Sequence, residues 1–281
     1  ARSMRDVSLH VNFDGRSVDT CGTGGDGQKT FNISTTAAFV VAGAGAVVAK
    51  HGNRAMSSSS GSADALEALG VKIDLGPDGV QKCLEQVGIG FMFAQAFHPA
   101  MKYAGPLRPQ IGIRTVFNLL GPLTNPAGAQ HQVIGMGDPS AAEKVAQALS
   151  ILGTTGALVV YAEDGMDEIS PEGRSHVFQI TDGQVSERTV EASDFGLPAQ
   201  KRSDLTANTV EESIGLIRGV LEGKNSSNVE QAARTVVVMN TAAALVAVGQ
   251  ADTLQQGAEQ AAESIESGRA LAKLEALAAL S

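Results

Sequence analysis

The chain repeats one local pattern: a short apolar run, a polar or glycine-rich loop, then a helix. Residues around 17–20 lead into "CGTGGDGQKTFN" (21–32) and the helical "STTAAFVVAGAG" (34–45). "AVVAK" (46–50) leads into "HGNRAMSSSSGS" (51–62) and the helical "ADALEALG", which ends at Gly70. A second run follows: strand "HQVIGM" (131–136), a helix over 139–152, strand "GALVVYA" (156–162) and the acidic loop "EDGMDEISPEG" (163–173). Strands joined through helices run parallel, so the pattern predicts an α/β fold: a mainly parallel central sheet with helices on both faces. Ligands then bind beyond the carboxyl ends of the strands, where these loops lie.

The remaining segments read differently. In 98–126 prolines interrupt helical stretches, which predicts a small helical lobe formed by 98–125 and facing the cleft. "RSHVFQI" and "QVSERTVE" flank "TDG" as a hairpin. Past about 209 small apolar residues alternate with helix formers, and those helices read as structural. "AARTVVVMNTAAALVAVG" (232–249) is the most apolar long stretch, but Arg234 and Asn240 interrupt it, so it reads as a buried helix and not a membrane span.

A net charge of −9 argues against a broad nucleic-acid or membrane surface, because such binding needs clustered Lys and Arg. An anionic ligand would need local positive groups. Cys21 and Cys83 are the two cysteines of the chain and lack metal-ligand spacing, which fits a reducing, cytoplasmic setting. The first ten residues, "ARSMRDVSLH", lack the apolar core of a signal sequence and resemble the end of a helix.

Glycine is costly inside an element, so Gly22, Gly24, Gly25 and Gly27 imply positive φ or a close approach, and a ligand is expected against that backbone. Free N–H groups ahead of a helix suit an anion such as phosphate. Asn32, Ser34 and Thr35 follow in the same turn, either as caps or as oxyanion and metal contacts. Lys50 and Arg54 supply cations directly after a buried strand. At the same rim, the neighbours Asp167 and Glu168 would repel an anionic ligand unless a divalent cation lay between, and their hard oxygens suit Mg2+.

"GTGGD", "TFNIST", "KHGNR…SSSSGSADALEALG", "HPAMK", "GIRTVFNLLGPLTNP" and "DGMDEIS" stand in an order and spacing that resemble the anthranilate phosphoribosyltransferases, within the nucleoside phosphorylase/phosphoribosyltransferase fold group. The resemblance runs from about residue 2 to the end. It implies transfer of the phosphoribosyl group of 5-phosphoribosyl 1-pyrophosphate to the amine of anthranilate, with release of pyrophosphate, a step of tryptophan biosynthesis. It places Gly22, Gly25, Asp26, Thr30, Asn32, Ser34, Thr35, Lys50, Ser58 and Ser62 around the phosphoribosyl pyrophosphate. Gly22, His51, Asn53 and Arg108 fall at anthranilate, and Ser34, Asp167 and Glu168 at Mg2+.

No covalent enzyme nucleophile is implied: Lys50, His51 and Asn53 position, and His51 reads as an orienting donor, with general-base action as the alternative. The family pattern assigns the carboxylate grip to Arg108, six residues before the competing Arg114. It further implies a homodimer, with residues 1–10 as a remnant of an N-terminal helical lobe, 11–281 as the catalytic domain, and dimer contacts weakened by the absence of the helices that precede "MRD" in the family. Two rivals share the fold group: a pyrimidine nucleoside phosphorylase-like enzyme, and a non-catalytic nucleic-acid-binding relative, which would need a basic groove.

Overall fold

A computed structural model describes residues 1–55, 60–107, 110, 113 and 115–281. Seven strands form one sheet: β1 (Ser17–Asp19), β2 (Val47–Gly52), β3 (Ile89–Phe93), β4 (His131–Gly135), β5 (Gly156–Ala162), β6 (Ser175–Thr181) and β7 (Gln184–Val190). Their order is β3-β2-β1-β4-β5-β6-β7. The first five run parallel, as the strand–helix alternation requires. β6 and β7 add an antiparallel hairpin at one edge. Its turn places Asp182 at φ 48° and Gly183 at φ 79°, the two left-handed residues of a two-residue hairpin turn.

The helices used below are α1 (Arg2–Asp6), α2 (Ile33–Gly43), α3 (Ser62–Ala68), α4 (Pro77–Gln86), α5 (Ala142–Leu152), α6 (Asn228–Ala247), α7 (Leu254–Glu266) and α8 (Arg269–Leu280). Both faces of the sheet are covered, and strand alternation divides the core between them. Val133, Leu158 and Val160 join α2, α6, α7 and α8 on one face. Ile134, Ala157 and Val159 meet α5 on the other, and Ala49 and Met92 meet α4.

Helix α2 is apolar nearly all round, which fits a helix buried on every side. Of its eleven residues Ser34 alone is not buried. A Cβ at its last residue, Gly43, would stand 2.4 Å from Ser264 Oγ and 2.7 Å from Ala270 N, so glycine there allows α7 and α8 to close on α2.

Sequence reasoning assigned no element to 71–97, which holds α4 and the edge strand β3. β3 is a five-residue run, too short for a period to declare itself, and its burial comes from α4 and α8. His51 and Gly52 belong to the end of β2, so the polar loop starts at Asn53 and not at His51. Within 98–125 the described residues form single turns: Met101–Ala104, Gly105–Leu107, Phe117–Leu120 and Pro122–Thr124. The first residues of the chain join this region: Arg5 Nε donates to Leu123 O at 2.8 Å, and Leu9 N donates to Phe97 O. Among the described residues no helix is long and apolar enough to cross a membrane.

Candidate active site

β1 and β4 are neighbours from which the chain winds outward in opposite directions, leaving a crevice at their carboxyl ends. Three loops meet there. The glycine loop leaves β1, residues 136–138 leave β4, and the acidic loop leaves β5. They approach so closely that side chains are excluded at two positions and crowded at a third. A Cβ at Gly22 would lie 3.0 Å from Gly135 O, one at Gly137 2.4 Å from Gly24 O, and one at Gly135 1.6 Å from Asp167 O. Thr23 stitches the seam, its N–H donating to Gly135 O at 2.8 Å and its Oγ1 accepting from Gly137 N at 3.0 Å.

Gly22 is the close approach that the sequence allowed for, made here to another stretch of backbone. Gly24, Gly25 and Gly27 have φ of 64°, 80° and 75°, a left-handed course, and an added Cβ at Gly24 or Gly27 would meet nothing within 4 Å.

The acidic loop delivers Asp167 and Glu168 to this crevice. The Asp167 carboxyl accepts the Gly24 N–H and shares a hydrogen bond with the Asp26 carboxyl, while its own N–H lies 3.4 Å from Asp26 Oδ2. Loss of solvent is the largest influence on Asp167, followed by the Asp26 charge and the Asp26 hydrogen bond, and its pKa is pushed up to about 7. Glu168 is raised well above the ordinary range, first by loss of solvent and then by Asp167. Its carboxyl accepts the N–H of Ser34, in the first turn of α2. Asp26, Ser34, Asp167 and Glu168 thus converge, joining residues that sequence alone distributed between metal and substrate. Carboxyl groups crowded together, with further hard oxygen donors around them, are a donor set that fits Mg2+.

Behind them stand two buried residues from the end of β2, Lys50 and His51, 3% and 2% exposed. Lys50 Nζ donates to Thr20 O at 3.2 Å and Thr20 Oγ1 at 3.1 Å. Its charge pulls down the carboxyl of Asp19, which burial nonetheless pushes up to about 6. Asp19 accepts the His51 N–H at 3.1 Å and Asn125 Nδ2 at 2.7 Å, so one carboxylate ties β1, β2 and the 98–125 region together.

His51 Nδ1 faces the Gly121 carbonyl at 3.1 Å, a contact that requires the proton on Nδ1. Nε2 is then the acceptor for His98 Nε2 at 3.2 Å. Burial, foremost, and His98 lower the His51 pKa to about 3, so its ring is neutral in ordinary buffers. A ring so fixed favours orientation over general-base action.

The polar residues of the loops serve the scaffold as well. Asn32 precedes α2 without capping it through its side chain. Its Nδ2 donates to Ser60 O at 3.2 Å and its Oδ1 accepts from Ser213 Oγ at 2.8 Å. Thr30 pairs with Thr206 in an antiparallel bridge. Thr35 is 1% exposed and its Oγ1 has no partner among the described residues, so its side chain offers no surface to the crevice. Asn53 Oδ1 accepts Arg54 N at 2.8 Å, and Ser62 Oγ donates to Asn53 O at 3.3 Å.

Arg54, expected as a cation for an anionic ligand, turns instead onto Asp64 at 3.0 Å and Glu67 at 2.8 Å of α3. Ser58, Arg108 and Arg114 lie outside the described residues. Sequence reasoning missed the roles of Asp19, His98 and Asn125, although each lies within or beside a motif block, in "DTCGTGGD", "HPAMK" and "LTNP".

Residues 14–271 match the model of the glycosyl transferase family, a/b domain. Over 282 residues the chain is 54% identical to the anthranilate phosphoribosyltransferase of Roseiflexus sp. (strain RS-1), an alignment covering 100% of this chain and 82% of that one. The crystal structure of anthranilate phosphoribosyltransferase from Thermus thermophilus superimposes with a TM-score of 0.91 at 40% identity, covering 99% of this chain and 82% of that one. The Saccharomyces cerevisiae enzyme in complex with PRPP and Mg does so at 0.90 and 31%, covering 99% and 77%. The yeast enzyme in complex with 4-fluoroanthranilate gives 0.88 and 29%, with the same coverage. By sequence, fold and the loops that meet at the switch point, the chain belongs to the anthranilate phosphoribosyltransferases.

Proposed function

We propose that the chain transfers the phosphoribosyl group of 5-phosphoribosyl 1-pyrophosphate to the amine of anthranilate, releasing pyrophosphate, as a step of tryptophan biosynthesis in the cytoplasm. The observation that carries the reading is the meeting of glycine loop, acidic pair and buried Lys50 at one crevice of an acidic protein. Gly22, Gly25, Asp26, Thr30, Asn32, Ser34, Lys50 and Ser62 surround the phosphoribosyl pyrophosphate, with Ser58 beside them and Thr35 acting through its backbone.

The other substrate lies against Gly22, His51 and Asn53, and Arg108 grips its carboxylate in the two-point geometry that a guanidinium favours. The aromatic amine is already a nucleophile, so holding its nitrogen in line with C1 of the ribose is the main task of these residues. His51, neutral and fixed on both ring nitrogens, serves as an orienting wall.

Ser34, Asp167 and Glu168 would hold Mg2+, which when bound would supply charge neutralisation for the departing pyrophosphate. Asp26 meets the same carboxylates through Asp167 and joins the loop that carries the phosphates to the residues that hold the cation. A net charge of −9 weighs against the nucleic-acid-binding alternative.

The decisive experiment pairs a fluorescence assay for loss of anthranilate with the double variant Asp167→Ala/Glu168→Ala across a Mg2+ titration. The expected result is wild-type transfer, no thymidine phosphorolysis, and a variant with kcat/KM reduced by about two orders of magnitude and a shifted Mg2+ dependence. A double variant that keeps the wild-type rate at every Mg2+ concentration removes the acidic pair from the site.

A further inference from the structure

Asn240 lies in the middle of α6 and is 3% exposed, among residues such as Val237, Met239 and Ala243 that are fully buried. A polar amide there needs partners, and it finds one within its own helix and two outside it. Its Oδ1 accepts the Ile169 N–H at 3.1 Å, and its Nδ2 donates to Ile169 O at 3.1 Å and to Val236 O at 2.9 Å. The side-chain amide thus pairs with both polar groups of a single residue, as one strand pairs with the next.

Ile169, buried itself, directly follows Glu168. Within the acidic pair, the Asp167 carbonyl of the peptide that joins it to Glu168 packs against Gly135, where a Cβ would lie 1.6 Å away. The peptide that joins Asp167 to Glu168 is thus held against the end of β4, and the residue that follows them is clamped by α6. The rest of the loop is closed by its own bonds: Ser170 Oγ donates to Asp164 Oδ2 at 2.6 Å, and Met166 N donates to Asp164 Oδ1 at 3.2 Å.

We infer that Asn240 is a positioning residue for the divalent cation: by fixing both backbone groups of Ile169, it holds the Asp167 and Glu168 carboxylates in place before the cation arrives. The inference rests on the reading of that pair as the Mg2+ ligands. Residues that support ligands from behind commonly set metal affinity within a factor of about ten to a hundred. Asn240 touches neither substrate nor cation in this scheme and acts through the loop alone.

The test measures Mg2+ binding calorimetrically on the complex with phosphoribosyl pyrophosphate, without anthranilate and so without turnover. For Asn240→Ala the half-saturating Mg2+ concentration is expected to rise about tenfold or more, while phosphoribosyl pyrophosphate itself is still bound. Asp167→Ala/Glu168→Ala is measured alongside. If that double variant shifts Mg2+ binding and Asn240→Ala does not, the inference fails and the metal reading stands; if neither shifts it, the metal reading itself fails.

Should Asn240→Ala not fold, hydrogen exchange on the wild-type chain decides the matter independently. The Ile169 amide is expected to exchange as slowly as the α6 core before any ligand is added, and to change little on loading. Exchange at the rate of an open loop in the unloaded protein overturns the proposal.

Discussion

At the scale of the residue, glycine carries much of the site's geometry, but for two separate reasons. Gly24, Gly25 and Gly27 let the loop take positive φ, whereas Gly22, Gly135 and Gly137 let three backbones touch. The first kind is legible in the sequence as a dense cluster. The second is not, because Gly135 and Gly137 sit in "VIGMGD", far along the chain from the glycine loop they meet. Gly135→Ala tests the distinction: its methyl must displace Asp167 O, a backbone atom that cannot rotate away. The expected cost is about 1–3 kcal/mol of stability, together with weakened Mg2+ dependence of transfer. Wild-type behaviour in both denaturant unfolding and the Mg2+ titration would show that the acidic loop is free to shift.

At the scale of the element, the helices after 209 divide their work. α6 begins with reciprocal caps: Ser227 Oγ accepts Glu230 N at 3.2 Å, and Glu230 Oε2 accepts Ser227 N at 2.9 Å. This end is exposed and far along the helix from Asn240, so it contributes to stability alone. Ser227→Ala is expected to lower unfolding free energy by about 1 kcal/mol and leave kcat/KM for both substrates unchanged, as read by urea denaturation and steady-state kinetics. The helices were legible from composition. That α6 also reaches the acidic loop through Asn240 was not legible, since a polar residue inside an apolar helix announces burial without naming its partner.

At the scale of the whole molecule, one surface stands out. Val7, Leu9, Tyr103, Leu107, Ile113 and Val116 are all large, apolar and more than two-fifths exposed, and they come from the first residues and the 98–125 region that those residues contact. The homodimer that the family resemblance implies is expected to bury its contact on these residues. Sedimentation velocity is expected to detect a weak dimer at micromolar concentration, dispersed by Ile113→Asp/Val116→Asp. A monomer at every concentration would assign that surface to something other than self-association.

The sequence by itself determined the strand–loop–helix alternation, and with it the parallel sheet, its covered faces and the edge at which ligands gather. These follow from local forces, namely the period of apolar residues, turn chemistry and the handedness of crossover connections. Its motif blocks also identified the family, because residues demanded by one chemistry stay in a fixed order along the chain. Only the tertiary structure decided that the Asp26 carboxyl meets that of Asp167, that Arg54 is spent on α3, that His51 is locked between Gly121 and His98, and that Asn240 clamps Ile169. Each is a contact between residues distant in sequence or a choice among several available partners, and packing selects that partner only after the elements have assembled.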